Sequence, residues 1–359
     1  MKCAIIGLPQ AGKTSLFRIL TGFVTQETHR HGEAEHIGAV SVPDNRLERL
    51  AKLFSSLKTT YPTLDYVDMP AIGKETLQET AFLAELRTMD ALFHVVRVFA
   101  DGSVPHIQGS VDPARDISDV DLELILSDLA VVENRLGKLE KDRKKIKNPD
   151  LEKEQVLLEK TQRWLESGKP LRDATWTLEE EKQLRSFAFL SGKPMLLVLN
   201  VGEEQAGQMD AVLQTTGLGL PSPRPHTLAT VVSGKIEAEL AIMPEGEAAE
   251  FRKSYQLTEP GRSRVVQATM QLLNLIVFLT VGEKESRSWM IPQGSSALQA
   301  ADAIHSDLEK HFIRAEVVPW EKLLEAGSLA AARQRGSMRL EGKDYIVKDG
   351  DIMEIRHSG

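Results

Sequence analysis

Gly7-Leu8-Pro9-Gln10-Ala11-Gly12-Lys13-Thr14 is the stretch that decides the fold. It satisfies GxxxxGK[ST] in full, with the apolar run Cys3-Ala4-Ile5-Ile6 before it and the helical pattern Ser15-Leu16-Phe17-Arg18-Ile19-Leu20 after it. Average residue usage makes a chance match on the order of one in a hundred for a chain this long, before a strand and a helix are also required. The glycines let the loop turn its backbone N–H groups inward, where they and the helix N-terminus hold phosphate oxygens. Gly7, Pro9, Gln10, Ala11, Gly12, Lys13, Thr14 and Ser15 are the expected phosphate cradle. Lys13 is expected to reach the β- and γ-phosphates, and the Thr14 hydroxyl to ligate Mg²⁺.

Outward from this loop, apolar β-branched segments recur at Tyr66 to Asp68, Leu92 to Val98, Met195 to Asn200 and Leu228 to Val232, with helical patterns between several of them. The layout predicts an α/β fold with a mostly parallel sheet, ligands lying at the carboxyl ends of its strands. Two motifs fall at such ends. Asp68 closes Tyr66-Val67-Asp68, where a carboxylate holds Mg²⁺ through a water; the alternative is a capping or turn aspartate. Asn200-Val201-Gly202-Glu203 follows Met195 to Leu199, the place where related nucleotide-binding chains carry Asn-Lys-x-Asp and read guanine. Here Val201 offers no long stem and Glu203 is one methylene longer than Asp, so the residues lean towards ATP, with Asn200 and a backbone carbonyl available to the adenine amine. An Asn200 that only caps the strand end is the other reading.

The interval from Val98 to Met195 is too long for one crossover. Leu122, Ile125, Leu129, Val132, Leu136 and Leu139 recur in steps of three and four, and Leu151, Leu158 and Leu165 every seven, so an antiparallel helical hairpin is expected there, broken at Asn148-Pro149-Asp150. Its tip carries Lys138, Lys141, Arg143, Lys144, Lys145 and Lys147: either a solvated helical face or a local RNA or ribosome contact. After about Ile276 the pattern changes to short strands and turns, with a helix expected over Ser296 to His311, which makes a separate α+β module.

The chain of 359 residues carries 44 Lys and Arg against 52 Asp and Glu, a net charge of -8 that argues against a whole-protein field for nucleic acid. The C-terminal module has no large basic field either. The run Leu272 to Val281 is about half of what a bilayer crossing needs, so no membrane partner is expected. The phosphate motif begins too early to leave room for a signal peptide, and a cytoplasmic protein is the expectation. Cys3, the one cysteine, sits in an apolar strand and reads as core packing rather than redox sensing.

With these residues in hand, the chain resembles the YchF (Obg-like ATPase) family of P-loop NTPases, as a divergent member. The resemblance rests on Gly7 to Thr14, Val42-Pro43-Asp44-Asn45-Arg46-Leu47, Tyr66-Val67-Asp68, His94-Val95-Val96-Arg97, Asn200 to Glu203, Ser233 to Leu240, Ile313 to Val317 and Leu340 to Asp351. It implies a discontinuous nucleotide-binding domain at 1–119 and 191–274, a hairpin at 120–190 and a TGS-like β-grasp domain at 275–359. It also implies Mg²⁺-dependent, slow hydrolysis of ATP, with GTP as the alternative nucleotide, and a ribosome contact through the hairpin tip and the TGS-like domain. Ser233, Gly234 and the Val201 carbonyl are implied at the base, and His106, from a loop, as the residue that orients water. Three positions depart from the family pattern. Asp68-Met69-Pro70-Ala71 replaces Asp-x-x-Gly, Gln10 stands for an Asn, and no switch I threonine falls within Gly32 to His36, leaving Thr25 or Thr28 as substitutes. Ala71, the apolar Ile72 that follows it and the missing switch I threonine keep a nucleotide-binding scaffold without hydrolysis as the rival reading, while Gln10 bears on whether a monovalent cation is used.

Overall fold

Buried strands built almost wholly of apolar residues form a parallel sheet only when helices cover both faces, and that is what the five anticipated segments do. In the computed structural model, which describes residues 1–22, 26–30, 33–73, 76, 79–144, 148–215 and 226–358, the chain runs in order through the following elements. The first part holds β1 (Lys2–Ile6), α1 (Lys13–Thr21), β2 (Gln26–Arg30), β3 (Glu33–Ser41), α2 (Asn45–Leu53), β4 (Thr59–Thr60), β5 (Thr63–Asp68), α3 (Thr80–Arg87) and β6 (Ala91–Arg97). The middle holds α4 (Pro113–Arg143), α5 (Pro149–Glu166), α6 (Leu178–Leu184), β7 (Met195–Asn200), α7 (Met209–Thr215), β8 (Thr227–Val232), α8 (Gly234–Leu240), α9 (Glu245–Ser254) and α10 (Gly261–Leu272). The last part holds β9 (Leu275–Thr280), β10 (Ser286–Pro292), α11 (Ala297–Ile304), α12 (Ser306–Lys310), β11 (Phe312–Pro319), α13 (Trp320–Ala326), α14 (Leu329–Gln334), β12 (Arg339–Glu341) and β13 (Asp351–His357).

Seven strands make one sheet in the order β2-β3-β5-β1-β6-β7-β8. The pairs β5/β1, β1/β6, β6/β7 and β7/β8 are parallel, while β2 and β3 form an antiparallel hairpin that the sequence reading missed. Gln26–Arg30 and Glu33–His36 are almost all polar, so they lack the apolar alternation by which strands are recognised. Thr25 lies outside the described residues, and Thr28 falls in β2.

The hairpin insertion is present and longer than expected. α4 begins at Pro113, capped by the Asp112 carboxylate, which accepts from Arg115 N–H. Its first turns bury Ile117, Val120 and Leu124 in the core of the parallel sheet, and only from Ile125 does it share a second core with Leu157, Leu158 and Leu165 of α5. Leu122, expected in the seam, is exposed instead. Asn148-Pro149 does not merely interrupt a helix but starts one: the Asn148 side chain accepts from Asp150 N–H at 2.9 Å, and Pro149 takes the first turn, where no N–H is needed. Lys138, Lys141 and Lys144 are exposed near the tip, while residues 145–147 lie outside the described residues.

The chain forms two compact units, Met1–Val40 with Asp65–Leu272, and Ser41–Leu64 with Leu273–Gly359. Residues 41–64, which the sequence reading placed in the nucleotide-binding domain, thus group with the C-terminal unit. The physical reason is that α2 buries Leu47 and Leu50 completely while packing on β10 and α13, and β4 pairs with β10 in parallel. Within this unit Arg46 also binds both Asp44 and Asp349, at 2.7 and 2.5 Å. The unit carries a mixed six-stranded sheet ordered β12-β11-β13-β9-β10-β4 over a core that includes Phe278, Ala300 and Val317. The helix expected over Ser296 to His311 is broken at His305, whose ring caps α12 by accepting from Asp307 N–H at 3.1 Å.

Candidate functional site

Gly7 leaves β1 at φ 149°, and a Cβ there would stand 2.6 Å from the Val95 carbonyl oxygen, so no side chain fits where the loop turns off the sheet. Gly12 caps α1 at φ 102°, against the Asn200 side chain. Gln10 also takes a positive φ, 60°, a conformation that costs a non-glycine residue about 1 kcal/mol and that Asn bears more easily. Ala11 is buried, and Pro9 and Ser15 are half-buried. No side chain caps α1, so its first N–H groups are left to an anion.

Lys13 lies back along its own loop, with Nζ donating to the carbonyls of Gly7 and Leu8 at 3.3 Å each. Burial pushes its pKa down, and the Asp68 carboxylate works against that. Thr14 Oγ1 donates to Asp68 Oδ2 at 3.4 Å. Burial in turn pushes Asp68 up, opposed by the charge of Lys13, the Thr14 hydroxyl and the field of His36. Asp68 Oδ1 is buried and has no hydrogen-bond partner among the described residues. An orphaned carboxylate oxygen beside a threonine hydroxyl fits a hydrated Mg²⁺, which takes one or two protein oxygens and completes its shell with water and phosphate. Among the described residues no three His, Cys, Asp or Glu side chains converge as they would for a protein-only metal cage.

Beyond Asp68 the chain returns to the loop: Ile72 N–H donates to the Gly7 carbonyl at 2.9 Å, and the Ile72 side chain is buried. It has no polar atom with which to orient water. Ala71, in the place of the glycine, accepts from the Thr76 hydroxyl through its carbonyl at 2.8 Å.

At the end of β7, Asn200 is buried and its amide spans two loops. Nδ2 donates to the Ala11 carbonyl at 2.9 Å, and Oδ1 accepts from Gly234 N–H at 2.8 Å. Its geometry is that of a staple between the phosphate loop and the loop before α8, rather than of a group held open for a base. A Cβ on Gly234 would meet Asn200 Oδ1 at 2.7 Å, which explains the glycine. Ser233 is fully buried and its Oγ lacks a partner among the described residues. Val201 is buried, with its N–H on the Val232 carbonyl. Glu203 forms an ion pair with Lys235 at 2.7 Å, both side chains lying on the wall of the same cavity.

Gln10, Gly12, Lys13 and Thr14 face Asn200, Val201 and Glu203 across a cavity of about 880 Å³. Phe99, which the sequence reading passed over, lines it too. The Arg97 guanidinium stands 4.4 Å from the centre of that ring, with Nε on the Phe99 carbonyl at 3.2 Å and Nη2 on the Val104 carbonyl at 2.6 Å. Both residues sit at the carboxyl end of β6, and that position alone could have marked them. His106 is not among the residues lining this cavity. Its Nε2 pairs with Asp116 Oδ2 at 2.9 Å and its Nδ1 accepts from Gln108 N–H at 3.1 Å, which turns the ring onto the start of α4.

The comparisons with known proteins bear on this geometry. Residues 275–358 match a family model described as YchF-GTPase_C, a protein of unknown function, and residues 2–135 match one described as 50S ribosome-binding GTPase. The ribosome-binding ATPase YchF of Bacillus subtilis is 35% identical over 362 residues, covering 99% of both chains, and that of Escherichia coli O157:H7 is 36% identical over 363 residues, covering 99% of this chain and 98% of the relative. The chain belongs to the YchF family. The solved structure of the YchF GTPase from Schizosaccharomyces pombe superposes with a TM-score of 0.84 at 29% identity, over 99% of this chain and 97% of that one. The YchF fold, a P-loop nucleotide-binding domain with a C-terminal β-sheet domain, is therefore that of this chain, as expected from its motifs. The names of these YchF relatives differ on the nucleotide, ATPase for the bacterial proteins and GTPase for the yeast structure.

Proposed function

We propose that the protein is an Mg²⁺-dependent ATP-binding switch that hydrolyses ATP slowly and acts on the ribosome. The observation that carries the choice of ATP is the Glu203–Lys235 ion pair: the one carboxylate of the base motif is engaged by a cation on the same cavity wall, and it is one methylene longer than the aspartate that accepts guanine N1–H and N2–H. The backbone of Val201 and Gly202 and the face of Phe99 remain to hold an adenine, and stacking on an aromatic face serves any purine. Lys13 and the free N–H groups of α1 would neutralise the phosphates, and Thr14 and Asp68 would hold the metal, which would supply positive charge against the charge developing in phosphoryl transfer. Asn200 keeps the two loops in register.

Slow turnover follows from the position of His106. With the His106 ring on Asp116 and Ile72 apolar, neither of these two side chains is set to orient the attacking water, so in this reading hydrolysis waits on the 98–112 loop releasing His106. The ribosome supports this reading as the partner named for the bacterial relatives, and the exposed Lys138, Lys141 and Lys144 offer a local basic contact on an otherwise acidic protein. The test is equilibrium competition of ATP and GTP for a labelled nucleotide with Mg²⁺, followed by single-turnover phosphate release in wild type and His106→Ala. ATP preference with release slowed at least tenfold in the variant is expected. ATP binding with no release in either protein would leave a nucleotide-binding scaffold, the reading that the His106–Asp116 pair otherwise favours.

A further inference from the structure

His36 Nδ1, like Asp68 Oδ1, is a buried polar atom without a hydrogen-bond partner among the described residues. His36 lies in β3, next to β5 in the sheet. Val42 N–H donates to the Pro62 carbonyl at 2.9 Å where the two strands meet, and an antiparallel ladder counted from that pair sets His36 across from Asp68. Two contacts agree with that register. The His36 ring is 6.3 Å from the ring of Phe17 in α1, and a Cβ on Gly38, two residues along the same face, would run into the Thr21 side chain of the same helix. Thr14, which bonds Asp68, belongs to α1 as well. His36, Asp68 and Thr14 thus share the α1 face of the sheet at its phosphate end.

On that face Asp68 Oδ1 and His36 Nδ1 are buried without a partner among the described residues. Leaving such atoms unpaired is costly, so their natural occupant is a ligand or water that completes both. Imidazole is a poor direct ligand for Mg²⁺, which prefers oxygen, but an imidazole nitrogen readily accepts from a water that the ion polarises.

We propose that His36 is an outer-shell positioning residue of the metal–phosphate site, its Nδ1 accepting from a water of the Mg²⁺ hydration shell opposite Asp68. The proposal rests on the reading of this cleft as an Mg²⁺–ATP site, and the experiment separates the two. The affinity of the full-length protein for ATP is measured with Mg²⁺ and with EDTA, by displacement of a fluorescent ATP analogue, in wild type, His36→Ala, His36→Asn and Asp68→Asn. The Mg²⁺-dependent gain in affinity is expected to fall about tenfold in His36→Ala, as for loss of one water-mediated bond to a charged centre, with affinity in EDTA unchanged. His36→Asn, whose amide oxygen also accepts, should recover part of the gain, and it stands in if His36→Ala does not fold. Asp68→Asn should lose more of the gain than His36→Ala. If Asp68→Asn loses the gain while both His36 variants keep it, His36 has no such role and the Mg²⁺ site stands. If His36→Ala binds equally more weakly with and without Mg²⁺, its role is structural and the proposal is overturned. If wild type shows no Mg²⁺-dependent gain, the reading of the cleft itself fails.

Discussion

His94 is fully enclosed in β6, and neither ring nitrogen has a hydrogen-bond partner among the described residues. Burial holds its pKa at about 4, against an ordinary 6.5, with Asp121 and Asp116 opposing the shift and Arg172 and Lys13 adding to it. Between those two values the unfolded chain binds a proton that the folded chain refuses, so His94 withdraws stability as the pH falls from 6.5 towards 4. At about 1.4 kcal/mol per unit the loss is on the order of 3 kcal/mol. Asp68, Asp128 and Glu237, all pushed up by burial, act in the opposite sense, losing stability as the pH rises through their raised values. Only the difference between wild type and a variant isolates His94. His94→Leu should flatten the decline of the urea midpoint between pH 6.5 and pH 4.5. Parallel declines in the two proteins would show that the ring finds a proton partner.

At the scale of elements, the carboxylate of Asp128 fastens α4 to what surrounds it. The residue is wholly buried and accepts from Leu190 N–H at 2.9 Å, from Ser191 N–H at 2.7 Å and from Arg87 of α3 at 3.2 Å. The Arg87 guanidinium also reaches the Ala188 carbonyl and the Ser127 hydroxyl, so the helix that follows the Asp68 loop is tied to the root of the hairpin. A second buried pair, Arg172 with Asp121, ties the segment after α5 to the same helix. Removing one partner strands the rest. Asp128→Ala should cost about 3–5 kcal/mol in chemical denaturation, and Asp128→Asn, which keeps one acceptor, less. A loss below about 1 kcal/mol would mean that water replaces the carboxylate.

How far these features are legible in sequence depends on the kind of force involved. The phosphate loop is legible because its glycines answer to backbone geometry at fixed spacing, and the hairpin because its leucines repeat. Asn200 is legible as important but not as a staple, since its partners are the backbone of Ala11 and Gly234, and carbonyls and N–H groups leave no trace in side-chain identity. The His106–Asp116 contact is hidden for another reason: ten residues apart across a loop, it follows no helical or strand period. Leu47 and Leu50 show that α2 buries a face. Nothing in that spacing says which core receives it.

For the whole molecule, the decisive feature is that residues 41–64 belong with 273–359. A fragment ending at Leu272 would leave Leu47 and Leu50 facing water, an apolar surface that promotes association. It should bind a hydrophobic dye and self-associate, while the full chain does neither. A fragment that stayed monomeric with amide protection across 41–64 equal to the full chain would contradict the division into these units.

The same division sets an order of events at birth. The 208 residues from 65 to 272 are synthesised after α2 and before the strands and helices that cover it. At roughly 5–20 residues per second, α2 waits on the order of 10–40 s before the first of its later partners is begun. The first unit has all its parts while translation continues. The second can close only once β13 has been made, so for that interval the nascent protein carries a finished nucleotide cleft and an unfinished companion, and a message truncated before β9 would yield a product with its apolar helix face bare.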